Sequence, residues 1–302
     1  MAQRADRLDK LHRHFLVKPG SKLKLKDFDP AWAGGDKISK KAAREIAEAE
    51  LTDDISDLAK AQELLYADRS RALLVIFQAL DAAGKDGTIK HVMTGLNPQG
   101  VRVNSFKVPS MDELLHTFLW RYTQWLPERG MIGIFNRSYY EEVLVVRVHP
   151  EYLAPQKLPA KKFNGQFWRD RYEDINAYER HLVRNGTEVV KFFLHVSKDE
   201  QKRRFLERID TPEKNWKFSA ADLKERALWD QYQQAFEDAL TATSTKEAPW
   251  HVIPADNKWM MRALVASILA AKIQSLKLRA PQLPQAEKEK LAVAKAELLK
   301  ES

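Results

Sequence analysis

Residues 71–95 read RALLVIFQALDAAGKDGTIKHVMTG, and the succession of residue types in this stretch decides the fold class. From Arg71 to Leu80 runs a continuous apolar segment rich in β-branched and aromatic residues, as a strand buried on both faces requires. The glycine-bearing DAAGKDGT, Asp81 to Thr88, follows and leads into the helical sequence TIKHVMTGL. Strand, glycine loop and helix form the context in which backbone N–H groups and a helix N-terminus cradle a phosphate. Ala82, Ala83, Gly84, Lys85, Asp86, Gly87 and Thr88 are the residues expected to form that cradle. Against the pattern G-x-x-x-x-G-K-[ST], the aligned stretch is ALDAAGKD. Gly84 and Lys85 match, whereas Ala79 replaces the first glycine and Asp86 the hydroxyl residue that ordinarily binds magnesium. Asp81 offers a substitute, because a carboxylate inside the loop can hold magnesium on phosphate oxygens, whereas an acid beside a bare polyanion would repel it. The plainer alternative is a turn that happens to contain a glycine; the order of strand, loop and helix favours the phosphate loop.

Outward from this unit the alternation continues. VRVNSFKVP reads as a strand, MDELLHTFLWRYTQWL as a helix, MIGIFN as a strand and Tyr139 to Val146 as helical. A proline-bearing stretch, Pro150 to Pro159, precedes a helix from about Trp168 to Arg184, and the strand TEVVKFFLHVS follows. Next come a basic helix DEQKRRFLERI, the loop DTPEKNWKFS, another helix, the strand WHVIPAD and a final helix NKWMMRALVASILAAKI. Such alternation predicts an α/β fold with about five parallel strands flanked by helices. Residues 1–70 read as a basic extension with a turn at AGGDK and a helix from Lys40 to Tyr66 that packs on the core; the core spans 71–278, and 279–302 is a proline-bearing linker with a charged tail, mobile or an oligomer contact.

Composition narrows the chemistry. The 302 residues contain no cysteine, which excludes disulfides, zinc–thiolate sites and thiol nucleophiles, so any metal must sit on oxygen or imidazole. His12, His14, His91, His116 and His195 lack the spacing of a metal site and read as structural or surface residues. The start MAQRADRLDKLHRHF is mixed in charge, and no apolar run approaches the ~20 residues that span a bilayer, so the expectation is a cytoplasmic protein without a membrane partner. A formal charge of +8 calls for a polyanionic partner. No nucleic-acid reader motif is visible, which leaves a non-catalytic nucleic-acid-binding protein as the weaker reading and no nucleic-acid partner as the expectation.

Taken with FNRSYYEEVLVVRVH (135–149) and KRRFLERIDTPEKNWKFS (202–219), the phosphate loop makes the sequence resemble the type 2 polyphosphate kinases, from the basic N-terminal segment to about Leu276. The resemblance implies a thymidylate-kinase-like P-loop fold, a helical lid at about 198–219, magnesium, and phosphoryl transfer between inorganic polyphosphate and adenine nucleotides, with guanine left open. It also implies a homo-oligomer, dimer or tetramer. Carried over by position, Asp81 and Lys85 serve magnesium and phosphates, and Arg137 is the arginine of the second motif. Arg203 and Arg204 fall on the lid helix, where two adjacent arginines point in different directions and at least one is expected to face the site and reach transition-state charge, with Arg208, Lys214 and Lys217 as further phosphate ligands. That second motif commonly reads aspartate-arginine-serine; here it is Asn136, Arg137 and Ser138, and the asparagine brings a carbonyl but no charge. Glu141 stands where many ADP-phosphorylating members carry a neutral amide, and its carboxylate is the second expected magnesium ligand. Together Asn136 and Glu141 resemble the subgroup, often called class III, that phosphorylates both AMP and ADP. An ATP-dependent nucleoside or nucleotide kinase is the alternative enzyme, since the same loop serves both.

Overall fold

The computed structural model describes residues 2–34, 38–159 and 162–301. A five-stranded sheet forms its centre, in the order β2-β3-β1-β4-β5. These strands are β1 (Ala72–Gln78), β2 (Val101–Ser105), β3 (Ile132–Asn136), β4 (Thr187–His195) and β5 (Trp250–Pro254), and every pairing is parallel. Parallel neighbours need crossovers, and helices supply them. The helices are α1 (Ala2–Phe15), α2 (Lys40–Asp68), α3 (Lys85–Val92), α4 (Met111–Leu114), α5 (Trp120–Thr123) and α6 (Val145–Val148) in the first half. In the second half they are α7 (Gly165–Arg184), α8 (Lys198–Asp210), α9 (Ala220–Ala227), α10 (Trp229–Thr243), α11 (Lys258–Ser275) and α12 (Gln285–Leu298). Among the described residues no helix is long and apolar enough to cross a membrane.

The central strand shows why the pattern works. Every residue of β1 is buried. Because side chains alternate along a strand, Leu73, Val75 and Phe77 enter one core with Leu58 and Leu65 of α2 and Leu264, Val265 and Ile268 of α11. Leu74 and Ile76 enter the other with Ile175 and Leu182 of α7 and Phe236 and Leu240 of α10. Burial of each such side chain is worth about 1.5–3 kcal/mol, and β1 carries no polar residue before Gln78. Two alanines of α2, Ala43 and Ala47, are also buried and add to the face it turns inward. Residues just after α1 add to the free edge of β5, where Val17 N–H donates to Trp250 O (2.9 Å). The turn expected at Ala33 to Lys37 lies partly outside the described residues.

Two helices expected from sequence take another form. The stretch 111–126 breaks into α4 and α5. Ser110 and Glu113 form a reciprocal capping box that starts α4. The break lets Arg121 Nε reach Glu113 Oε1 (3.2 Å) while its Nη1 donates to Lys107 O (3.0 Å); in an unbroken helix, residues eight apart would be separated by about 12 Å. Tyr139–Val143 is a 3-10 turn before α6 rather than one continuous helix, with Ser138 as its cap.

Candidate active site

Phe77 of β1 and Asn136 of β3 are register partners, so the chain leaves both strands side by side at the carboxyl edge of the sheet. Ligands of open α/β sheets bind at such an edge. Beyond β1 the loop turns through positive φ at Ala82 (60°) and Gly84 (108°) before α3 begins. Glycine suits position 84 chiefly for its left-handed backbone, and a Cβ there would also press on Met261 Cε at 3.1 Å. Lys85, first in α3, turns back over the loop and donates from Nζ to Ala79 O (2.9 Å). Burial and then the charge of Arg137 lower its pKa from 10.5 to about 8.

Beyond β3 the chain makes a second positive-φ turn at Arg137 (65°). This aims the guanidinium between two acids: Nη2 donates to Asp81 Oδ1 (2.8 Å) and Nη1 to Glu141 Oε2 (3.2 Å). The pKa of Arg137 is raised, chiefly by Glu141. With its amide turned to donate, Gln78 bonds Glu141 Oε1 (3.0 Å). Asn136 Nδ2 donates to Asp86 Oδ1 (2.7 Å). An aspartate at 136 would set carboxylate against carboxylate at that distance, so the unusual Asp86 and the unusual Asn136 account for each other. The two loops are thus tied by Arg137–Asp81, Gln78–Glu141 and Asn136–Asp86.

The basic residues beyond β4 divide differently from the expectation. Of the two candidate lid arginines, Arg204 is buried, and each of its five N–H groups is engaged. Nη1 donates to Ala82 O (3.0 Å) and Ala83 O (2.7 Å), Nη2 to Ala255 O (2.6 Å) and Asp256 O (3.2 Å), and Nε to Glu200 Oε1 (2.7 Å). A guanidinium saturated by carbonyls and by Glu200 behind the loop has no donor for phosphate, so Arg204 does not take the catalytic place the sequence offers it. Arg203, its neighbour, has a side chain 60% exposed and pairs with Glu200 (2.6 Å) and Glu207 (3.7 Å) on the outer face of α8. Arg208 lies 3.5 Å from Asp222 of α9, Lys214 pairs with Glu207 (2.5 Å), and Lys217 sits over the Trp216 ring.

Sequence reasoning missed Gln78, Gln201, Asp222 and Tyr232. Gln201 Nε2 donates to Asp81 O (3.0 Å). Burial and then the charge of Asp81 raise the pKa of Asp222, and Arg208 and Arg137 oppose the shift. Tyr232, raised by burial and by its bond to Glu225 (2.5 Å), also feels Glu141 and Asp81. None carries a local signal, because each acquires its place through elements far apart in sequence. Among the described residues no group of three or more acidic or imidazole side chains converges. Asp81 and Glu141 on either side of one guanidinium fit a small hard cation that takes one or two carboxylates and fills its shell with water and phosphate oxygens.

A sequence model of the family described as Polyphosphate kinase 2 matches residues 41–281. The chain belongs to the polyphosphate kinase 2 family. Over 251 residues it is 54% identical to a protein of Rhodopseudomonas palustris named ADP-polyphosphate phosphotransferase, covering 83% of this chain and 87% of that one. Over 281 residues it is 47% identical to a Meiothermus ruber protein named AMP/ADP-polyphosphate phosphotransferase, covering 93% and 99%. The crystal structure of polyphosphate kinase 2 from Arthrobacter aurescens superposes with a TM-score of 0.82 at 38% identity, covering 93% of this chain and 95% of that one. The sheet is therefore that of a P-loop kinase of the polyphosphate kinase 2 family, as the family resemblance implies.

Proposed function

We propose that this chain transfers phosphoryl groups between inorganic polyphosphate and nucleotides, phosphorylating AMP and ADP toward ADP and ATP. The observation that carries this reading is the convergence of Lys85, Asp81, Arg137 and Glu141 at the carboxyl edge of β1 and β3, in a chain whose relatives bear those activities in their names. An oxygen of the nucleotide's terminal phosphate attacks the end phosphorus of polyphosphate. As that P–O bond forms, the bond to the bridging oxygen breaks, and its electron pair stays with the chain shortened by one phosphate. No proton need move, so the protein contributes alignment and positive charge.

Lys85 and the N–H groups of the phosphate loop hold phosphate oxygens, and Arg137 presents its guanidinium between the two loops. Asp81 and Glu141 would hold magnesium, which when bound supplies charge neutralisation on the phosphates. In this reading the enzyme works in the cytoplasm as a dimer or tetramer, which light scattering on the purified chain checks. The deciding experiment incubates AMP or ADP with polyphosphate and magnesium and separates the nucleotides. ADP and ATP formed at the expense of polyphosphate are the expected products; phosphorylation only when ATP is supplied would return the chain to the ordinary nucleotide kinases.

A further inference from the structure

The phosphate loop has a back as well as a front. Along the loop, five consecutive carbonyl oxygens accept from side chains, and the last three face α8 at its back. Ala79 O and Leu80 O accept from Lys85 Nζ (2.9 and 3.4 Å), Asp81 O from Gln201 Nε2 (3.0 Å), and Ala82 O and Ala83 O from Arg204 Nη1 (3.0 and 2.7 Å). The last three are held entirely by α8, from more than a hundred residues away in sequence. On the front, among the described residues, the N–H groups of Ala82, Gly84, Lys85, Asp86 and Gly87 donate to no protein acceptor. The two observations are linked by peptide planarity, since the N–H of one residue lies opposite the carbonyl of the residue before it. Drawing the carbonyls of Asp81, Ala82 and Ala83 toward α8 therefore turns the N–H groups of Ala82, Ala83 and Gly84 the other way. Ala83 N–H is partly occupied by Leu80 O (3.3 Å); the other two are directed outward.

We infer that Gln201 and Arg204 are positioning residues of the phosphoryl-transfer site: from α8 they hold the peptide planes of the loop so that its N–H groups face the bound phosphate. The pair acts through the loop and touches no substrate. Ala82 shows why such holding is needed. Its φ of 60° is costly for a residue with a Cβ, and the first glycine of the usual loop is here Ala79. A loop short of glycine keeps this shape only when its surroundings impose it. Both side chains are themselves fixed. Gln201 Oε1 accepts from Arg226 Nη1 of α9 (2.9 Å), and Arg204 Nε bonds Glu200 (2.7 Å), so neither can leave its carbonyl without breaking a second contact.

The inference rests on the proposed phosphotransfer, and its test separates the two. Gln201→Met keeps the length and volume of the side chain but cannot donate; Arg204→Lys keeps the charge but cannot reach four carbonyls. For native protein and both variants, melting temperature, kcat and KM are measured with polyphosphate and ADP. Binding of tripolyphosphate and of ADP is measured separately by calorimetry. In Gln201→Met we expect a melting temperature near the native value and a loss of at least about tenfold in kcat/KM. An equal loss of affinity should appear for tripolyphosphate, which assigns the loop to polyphosphate, or for ADP, which assigns it to the nucleotide; either result upholds the role. Arg204→Lys should lose more. Native kcat/KM in folded Gln201→Met, or lost turnover with both affinities intact, would overturn the inference. Phosphate binding by a native chain that does not turn over would sink the function while leaving the loop's support measurable by calorimetry alone.

Discussion

Lys85 meets phosphate from a buried position, and its proton is correspondingly weakly held. Burial and Arg137 bring its pKa from 10.5 to about 8 in the unliganded site. Since the charged form is the one that attracts phosphate, its useful charge is present below about pH 8 and is lost as pH rises through it. The kcat/KM for polyphosphate reports the free enzyme and should be level at neutral pH and fall above about pH 8. The kcat itself should hold to higher pH, because bound polyphosphate favours the protonated lysine. Rate measurements between about pH 6.5 and 9.5 check this; a kcat/KM flat to the upper end would contradict the buried lysine's part. Lys85→Ala should lower turnover by at least about a hundredfold in a folded protein. Glu141 makes a second, more selective prediction. AMP brings one phosphate fewer than ADP and so recruits less metal of its own, while Glu141 is held toward the loop by Arg137 and Gln78. Glu141→Asn should therefore cost at least about tenfold more in kcat/KM for AMP than for ADP, and equal losses would reduce Glu141 to a structural partner of Arg137. Asp81 and Lys85 are readable from the local loop pattern, and Arg137 and Glu141 only from the resemblance of 135–149 to the family; the structure brings the four side chains together. Arg203 and Arg204 were not separable, since neighbours on a helix differ by about 100°, and which one turns inward depends on carbonyls at 82, 83, 255 and 256 that no window around 204 contains.

At the scale of elements, α8 joins two unlike halves. Gln201, Arg204 and Phe205 are buried against the phosphate loop and core, whereas Leu206 and Ile209 are exposed and the following 3-10 turn, Pro212–Lys217, buries none of its residues. The sequence reading placed one lid from Lys198 to Ser219. The five bonds of Arg204 argue that any closing movement begins beyond it. Lys214 and Lys217 are held at the surface, by Glu207 and by the Trp216 ring, and a polyanion can displace such exposed contacts; Arg208 is more enclosed, beside Asp222 and Lys217 O. Hydrogen exchange should find the amides of about 201–206 slow with or without ligand, and those of about 211–222 protected on adding tripolyphosphate. Unchanged exchange in the second segment at saturating ligand would count against a lid. For α4 and α5 the contacts are nearer in sequence: the apolar pattern of 111–126 reads as one helix, whereas the break lets Arg121 meet both Lys107 O and Glu113.

Across the whole molecule, a buried ion pair connects the sheet to the site. Lys191 of β4 and Glu179 of α7, 0% and 1% exposed, meet at 2.6 Å. Lys191 also donates to Tyr140 OH (2.8 Å) and to Thr243 O at the end of α10 (2.7 Å), while Glu179 accepts from the hydroxyls of Tyr139 (2.9 Å) and Tyr140 (2.8 Å). Tyr139 and Tyr140 belong to the turn that presents Arg137 and Glu141, so three elements and the second loop of the site share one polar cluster. Burial raises the pKa of Glu179 and lowers that of Lys191. Both directions say that desolvation outweighs the attraction between the partners, so the pair is costly to break rather than a source of stability. Lys191→Met removes the ammonium that faces Glu179, so the buried carboxyl must either remain uncompensated or take up a proton, and the variant should lose about 3–5 kcal/mol in urea unfolding. Adding Glu179→Gln removes the stranded carboxyl and leaves an amide that still bonds the two tyrosines, so the double variant should recover a large part of that loss. It should also regain kcat, because the Tyr139–Tyr140 turn is again held beneath Arg137. Losses that simply add in the double variant would show that the two residues act separately and that the cluster does not link core to site.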